Sequence, residues 1–222
     1  MRRVFVGLAL IGAARVAYAQ QPADELSVDR EAAAQLDRIL SSARARGLPT
    51  EPIVAKARQG ALLRTPSPRI VAAAQAVSRR LEEARDALAP SPSANDIAAG
   101  QDALAIPGVT KEMLRAIRMQ RPNRPVAVAV GVMAQLVASG VKPDHASDIL
   151  AGLVRQQATD GQLVSFGNDV NRDVSEGIAP ISSLNVRLKG LTPLLSHILT
   201  PTPMQGLSPV QGASGAPRPP RP

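Results

Sequence analysis

The chain has 222 residues, with 26 Lys and Arg against 18 Asp and Glu, and no cysteine or tryptophan. Without cysteine there is no disulfide framework, no thiolate metal site and no lipid-anchored amino terminus, which needs a cysteine at the cleavage point. The formal charge of +8 is weak evidence for a polyanion partner: Arg2, Arg3 and Arg15 lie in the first nineteen residues, no acid follows Glu176, and residues 20–176 hold 19 basic and 18 acidic side chains.

Residues 1–19 read as a secretory signal. Arg2 and Arg3 form a positive start, Val4 to Ala14 is apolar, and Ala17-Tyr18-Ala19 offers small residues where a signal peptidase reads, with cleavage before Gln20. The apolar run is shorter than the roughly 20 residues that span a bilayer, so no transmembrane anchor is expected after its removal. Arg2-Arg3-Val4-Phe5 also matches the start of a twin-arginine signal, and general secretion and twin-arginine export both stay open. The expected location is periplasmic or extracellular. Beyond the signal the only aromatic residue is Phe166. A chain without aromatic platforms is poorly equipped to stack sugars or single-stranded bases, and no sequence-specific nucleic-acid partner is expected. The core has to be Leu, Val, Ile, Met and much Ala.

Residues 20–178 read as one helical domain. From Asp29 an apolar stripe runs through Ala32, Leu36, Ile39, Leu40 and Ala43, at the three-and-four spacing of a helix that ends at Gly47. Thr50 is placed to cap a second helix carrying Ile53 and Ala57, with Gly60 as its stop. Ser67-Pro68 signals the next start, a capping serine with proline at the first helical position. The long stripe behind it is Ile70, Ala74, Val77, Leu81, Ala84 and Leu88, broken by Pro90 and Pro92. Ser93 to Asp96 has the form of a capping box, opening a short helix that leads to a turn at Gly108.

From Thr110 the pattern places Met113, Ala116 and Ile117 on one face. Lys111, Arg115 and Arg118 fall on the other, with Arg121 and Arg124 just beyond. Val126 to Ser139 is apolar nearly all round; its valines suit a strand, but its length favours a buried helix. Ile149, Leu150, Leu153 and Val154 mark the helix after Gly140, and Leu163, Phe166, Val170, Val174 and Ile178 the one after that.

A glycine followed by a branched aliphatic residue recurs between helices, as Gly47-Leu48, Gly108-Val109 and Gly140-Val141, each with an acid four places after the glycine. A shift of 32 residues brings Gly108 onto Gly140 and Ile117 onto Ile149; one of 61 brings Gly47 onto Gly108 and Glu51 onto Glu112. Such spacing suits stacked helix-turn-helix units, although any antiparallel helical bundle reuses glycine stops. The expected fold is all-α, an antiparallel helical bundle or a short array of helix-turn-helix units. Residues 179–222 read as a low-complexity, basic, Pro- and Gly-rich tail, disordered from Thr200. Leu184, Val186 and Leu188 alternate within it in a strand-like pattern without a partner strand, and Leu194 to Leu199 reads as a candidate short helix.

The chemistry-bearing residues are few. His145, near Asp144 and Asp148, has no second histidine at helical spacing, and a first-turn surface histidine is the better reading. Asp169, Asn171 and Asp173 alternate like the start of a calcium loop, but Val174 replaces its glycine and Pro180 stands where the bidentate acid belongs. No glycine-flanked serine elbow and no phosphate-cradling loop is present. No catalytic residue, metal site or cofactor is assigned. The best contact surface is the basic stripe Lys111, Arg115, Arg118, Arg121 and Arg124, which also reads as a plain solvated face. The expected function is an exported, non-catalytic helical interaction module that binds protein. The alternatives are an electrostatic binder of an anionic envelope surface or polyanion, using the stripe and the tail, and an enzyme of unknown class.

Overall fold

The computed structural model describes residues 29–199, with side-chain surroundings as far as Leu191. The expected signal with its cleavage site, and residues 200–222 of the expected tail, lie outside the described residues. Within them the fold is all-helical: α1 (Arg30–Ala45), α2 (Glu51–Leu62), α3 (Ser67–Ala87), α4 (Ala94–Leu104), α5 (Lys111–Gln120), α6 (Ala127–Ala138), α7 (Pro143–Arg155), α8 (Asp160–Ser175) and α9 (Pro180–Leu199). No described helix is long and apolar enough to cross a membrane.

Local chemistry explains most of the boundaries. Asp29 opens α1 by accepting the Ala32 N–H at 2.8 Å. Ala32, Leu36, Leu40 and Ala43 then bury the predicted stripe. Gly47 takes φ +69°, a left-handed conformation that costs a glycine little, and the Leu48 N–H reaches back to the Ala43 carbonyl. The same backward bond closes α6, where Gly140 has φ +93° and Val141 donates to Leu136. It also closes α8, at a fourth glycine-aliphatic pair, Gly177-Ile178, with Ile178 donating to the Asp173 carbonyl. This pair sits before Pro180 as Gly140-Val141 sits before Pro143.

Four local expectations give way. The helix runs through Gly60 and ends at Leu62, with Arg64 as the left-handed residue. Gly60 serves close approach instead of termination: a Cβ there would lie 2.8 Å from Ile70 Cγ1. Thr50 makes no side-chain cap to α2. Ser67 is the first residue of α3 and not its cap; its hydroxyl accepts the Asp29 N–H from the start of α1. Over Pro180–Leu199 the expected tail, with its strand-like alternation, is helix α9. Leu184 is fully buried, and Leu188 and Leu191 pack beside it, so the spacing that decides is i, i+4, i+7.

Helices pack on their sequence neighbour or on the next but one. α3 is the hub, touching α1, α2, α4 and α5; beyond it α4 meets α6, α5 meets α7, α6 meets α7 and α8, and α8 meets α9. The close contacts use missing side chains. Gly100 on α4 faces Ala84 on α3, and a Cβ there would come within 2.9 Å of the alanine methyl. The turns before α5 and α7 pack in one register: a Cβ on Gly108 would lie 2.9 Å from Pro143 Cγ, and one on Gly140 3.4 Å from Pro180 Cγ. Two apolar clusters result, one from α1 to α4 around Leu36, Ile53 and Leu81, the other from α3 to α9 around Leu114, Met133 and Leu150. Leu104 packs against both.

The last helix is held by charge as well as by Leu184. Arg187 donates two hydrogen bonds to Asp173, from Nη2 to Oδ1 at 2.6 Å and from Nε to Oδ2 at 2.9 Å, and the buried Ser183 hydroxyl adds a third at 2.7 Å. Donation from Arg187 and Ser183 outweighs desolvation and holds the Asp173 carboxyl down at a pKa of about 2. The stabilisation is therefore complete above the unfolded carboxyl's value near 3.9 and is lost as pH falls from there through about 2. Hydrogen exchange at the Leu184 amide should accelerate across that window beyond its intrinsic pH dependence, and Arg187→Met should remove most of the acid-linked part of the change, the Ser183 bond remaining.

Candidate functional site

The basic stripe does not stay together. Lys111 and Arg124 are exposed, and so is Arg115, whose Nη1 pairs with Glu112 at 3.1 Å. The Glu112 carboxyl is lowered by its own backbone N–H and by the Thr110 hydroxyl, with Arg115 adding less. Arg118 and Arg121 are buried at 5% exposure each. Neither is available to a partner, and that part of the expected contact surface is corrected. The buried side of α5 is Leu114, Ile117 and Arg118, with Met113 and Ala116 only half-buried.

Arg118 instead closes a junction of four helix ends. Its guanidinium donates to the Leu88 carbonyl after α3 at 2.8 Å, and to the Arg121 and Arg124 carbonyls after α5 at 3.2 and 2.9 Å. Nη2 reaches Asp96 Oδ2 at 3.3 Å. Asp96 completes the predicted capping box with Ser93 at the start of α4. Its Oδ1 also accepts the N–H groups of Val126 and Ala127, both at 2.7 Å, at the start of α6. One carboxylate thus caps two helices and neutralises a buried arginine. Burial alone pushes its pKa up, but the N–H groups of Val126 and Ser93, the Ser93 hydroxyl and the Ala127 N–H together bring it below the ordinary value. Arg121 ties the end of α5 to the turn before α8, donating to Asp160 Oδ1 at 2.8 Å and to the Ala158 carbonyl.

The other sequence candidates are dispersed. His145 is an exposed residue near the start of α7. Asp169 and Asp173 are taken up by arginines, Asp169 by Arg172 and Asp173 by Arg187. Among the described residues no three His, Asp or Glu side chains gather as metal ligands would.

Sequence reasoning missed a trough between α2, α3 and α4. Both α2 and α4 pack on α3, and α2 and α4 leave an open cleft of about 620 Å³ between them. Val77 and Arg80 of α3 and Gln101 of α4 line it, with Glu51 and Lys56 of α2 and Asp102 of α4. Gln101 is 4% exposed, and its carboxamide makes no hydrogen bond to a described residue. Arg80 Nε is buried without a partner, and the guanidinium forms no ion pair among the described residues. The one available signal was that Arg80, beside Leu81, and Gln101, four after Ile97, sit next to or in line with buried apolar positions. Two further grooves run along the α1–α3 seam, and in one of them Arg46 pairs with Glu82.

Compared with protein-family models, curated proteins and solved structures, the chain matches none of them.

Proposed function

We propose that this chain is an exported, non-catalytic helical interaction module of the cell envelope that binds another protein. The observation that carries the reading is the α2–α3–α4 trough, an open surface whose polar side chains, Arg80 and Gln101, serve nothing inside the fold. A catalytic site collects its polar groups in a closed, water-excluding pocket; a trough of this kind suits a segment of another chain. The matching contacts of Gly108 with Pro143 and of Gly140 with Pro180 support an array of helix-turn-helix units, which offers extended faces of this sort. Export rests on the Arg2-Arg3 start and the Ala17-Tyr18-Ala19 site.

The test is crosslinking in the native envelope, at low and high salt, with the chain whole and ended at Leu199. Ending it at Leu199 keeps α9, whose removal would expose the core around Leu184. One discrete protein recovered in all four conditions is the expected result. Recovery of anionic lipid or polyanion alone, lost in salt, would transfer the function to the surface cations Lys111, Arg115 and Arg124 and the basic tail, since exposed charges are screened.

A further inference from the structure

We infer that the trough between α2, α3 and α4 receives an extended segment of a partner protein, which sets one carboxylate side chain against Arg80 and a backbone amide against Gln101. The inference rests on the interaction-module reading and assigns its partner chemistry.

Arg80 offers the first half of the recognition. Its guanidinium has a buried Nε–H with no acceptor, and it lines the trough. That N–H is closed to an occupant, but the two outer Nη groups form no hydrogen bond or ion pair among the described residues, and together they match a carboxylate in two parallel, charge-assisted bonds. The acids nearby do not fill this role: neither Glu51 nor Asp102 forms an ion pair with Arg80.

Gln101 offers the second half. A carboxamide has one acceptor and two donors on a plane, the complement of a peptide group. Here it is 4% exposed yet unbonded, so its remaining opening is the trough. A side chain of this kind reads backbone and not sequence, which suits an extended occupant whose own amides are unpaired.

The rim sets the charge pattern. Glu51 and Asp102 are exposed on either side, on α2 and α4, and Lys56 is spent in part on Gln59 at 2.9 Å. A segment with several acids meets repulsion from Glu51 and Asp102. A single acid with uncharged or basic neighbours meets Arg80 below and carboxylates at the rim. The trough is open, so the chain continues past the acid, and the carboxylate is that of an internal Asp or Glu instead of a chain terminus.

Three capped or free pentapeptides test this by titration into the ¹⁵N-labelled full chain. The first is amino-acetylated and carboxy-amidated with one central glutamate between alanines and flanking lysines. The second replaces the glutamate with glutamine, and the third keeps the glutamine and frees the terminal carboxylate. The expected result is that the glutamate peptide shifts the Arg80 Nε–H and Gln101 side-chain amide signals and binds about tenfold tighter than either other peptide. Arg80→Met should abolish that advantage while leaving the thermal midpoint unchanged or raised, because the orphaned donor leaves with it. Equal binding of glutamate and glutamine peptides would overturn the proposal, as would shifts confined to other surfaces. Preference for the free terminus would overturn the internal carboxylate. A fall in thermal midpoint for Arg80→Met would make the residue structural. A partner still crosslinked at wild-type yield by the Arg80→Met chain would sink this inference and leave the interaction-module reading standing.

Discussion

Asp96→Ala is expected to cost about 3–5 kcal/mol of folding stability, the range for removing one member of a buried ion pair. Three losses combine. Arg118, at 5% exposure, keeps a buried charge without its carboxylate. Val126 and Ala127 lose the acceptor that terminates α6. Ser93 loses its half of the α4 capping box. Against a total of about 5–15 kcal/mol for an ordinary domain, this is a large share. Far-UV circular dichroism through a urea titration reads it. The double variant Asp96→Leu with Arg118→Met should recover part of the loss, since the stranded charge is then gone, although the orphaned helix ends remain. A loss under about 1 kcal/mol for Asp96→Ala would mean that water replaces the carboxylate and the junction is not sealed.

Leu81→Ala should be the costliest change in the apolar core, at about 2–5 kcal/mol. Leu81 is fully buried in the middle of α3, the helix that touches α1, α2, α4 and α5. Its buried neighbours one turn away along the same helix, Val77, Ser78 and Ala84, are short and cannot swing in to fill the space. The loss should appear as a lower urea midpoint with an unchanged slope, because α3 belongs to both apolar clusters and neither is expected to melt alone. Two separated transitions would show that the clusters fold independently.

These two residues were not equally visible beforehand. Leu81 stands in the three-and-four stripe of α3, and burial follows from periodicity. Asp96 was visible only as a capping residue three places after Ser93. Its bonds to Val126 and Ala127 span 30 and 31 residues, and its partner Arg118 lies 22 residues away. Charge alone sends Arg118 and Arg121 to the surface, and on that ground they belonged with Lys111, Arg115 and Arg124. Burial becomes affordable only because helix ends converge there with carbonyls and carboxylates in place. A hint existed, since Arg118 follows Ile117 and lies four places after Leu114, on the apolar side of α5.

Taken by itself, the sequence determined whatever depends on neighbours within one or two turns: the all-helical class, the buried stripes, the box at Ser93 and Asp96, and the left-handed glycines at positions 47, 108 and 140. In each, the partners are three to five residues apart, and the geometry of a single helix brings them together. Tertiary structure alone decided that Gly60 is a contact and not a stop, that α9 replaces a strand-like tail, that two of the four candidate arginines are interior, and that Arg80 and Gln101 meet in one trough. Each of these turns on which helix lies against which. That is set by the summed fit of distant apolar faces and by where distant helix ends expose unpaired polar groups.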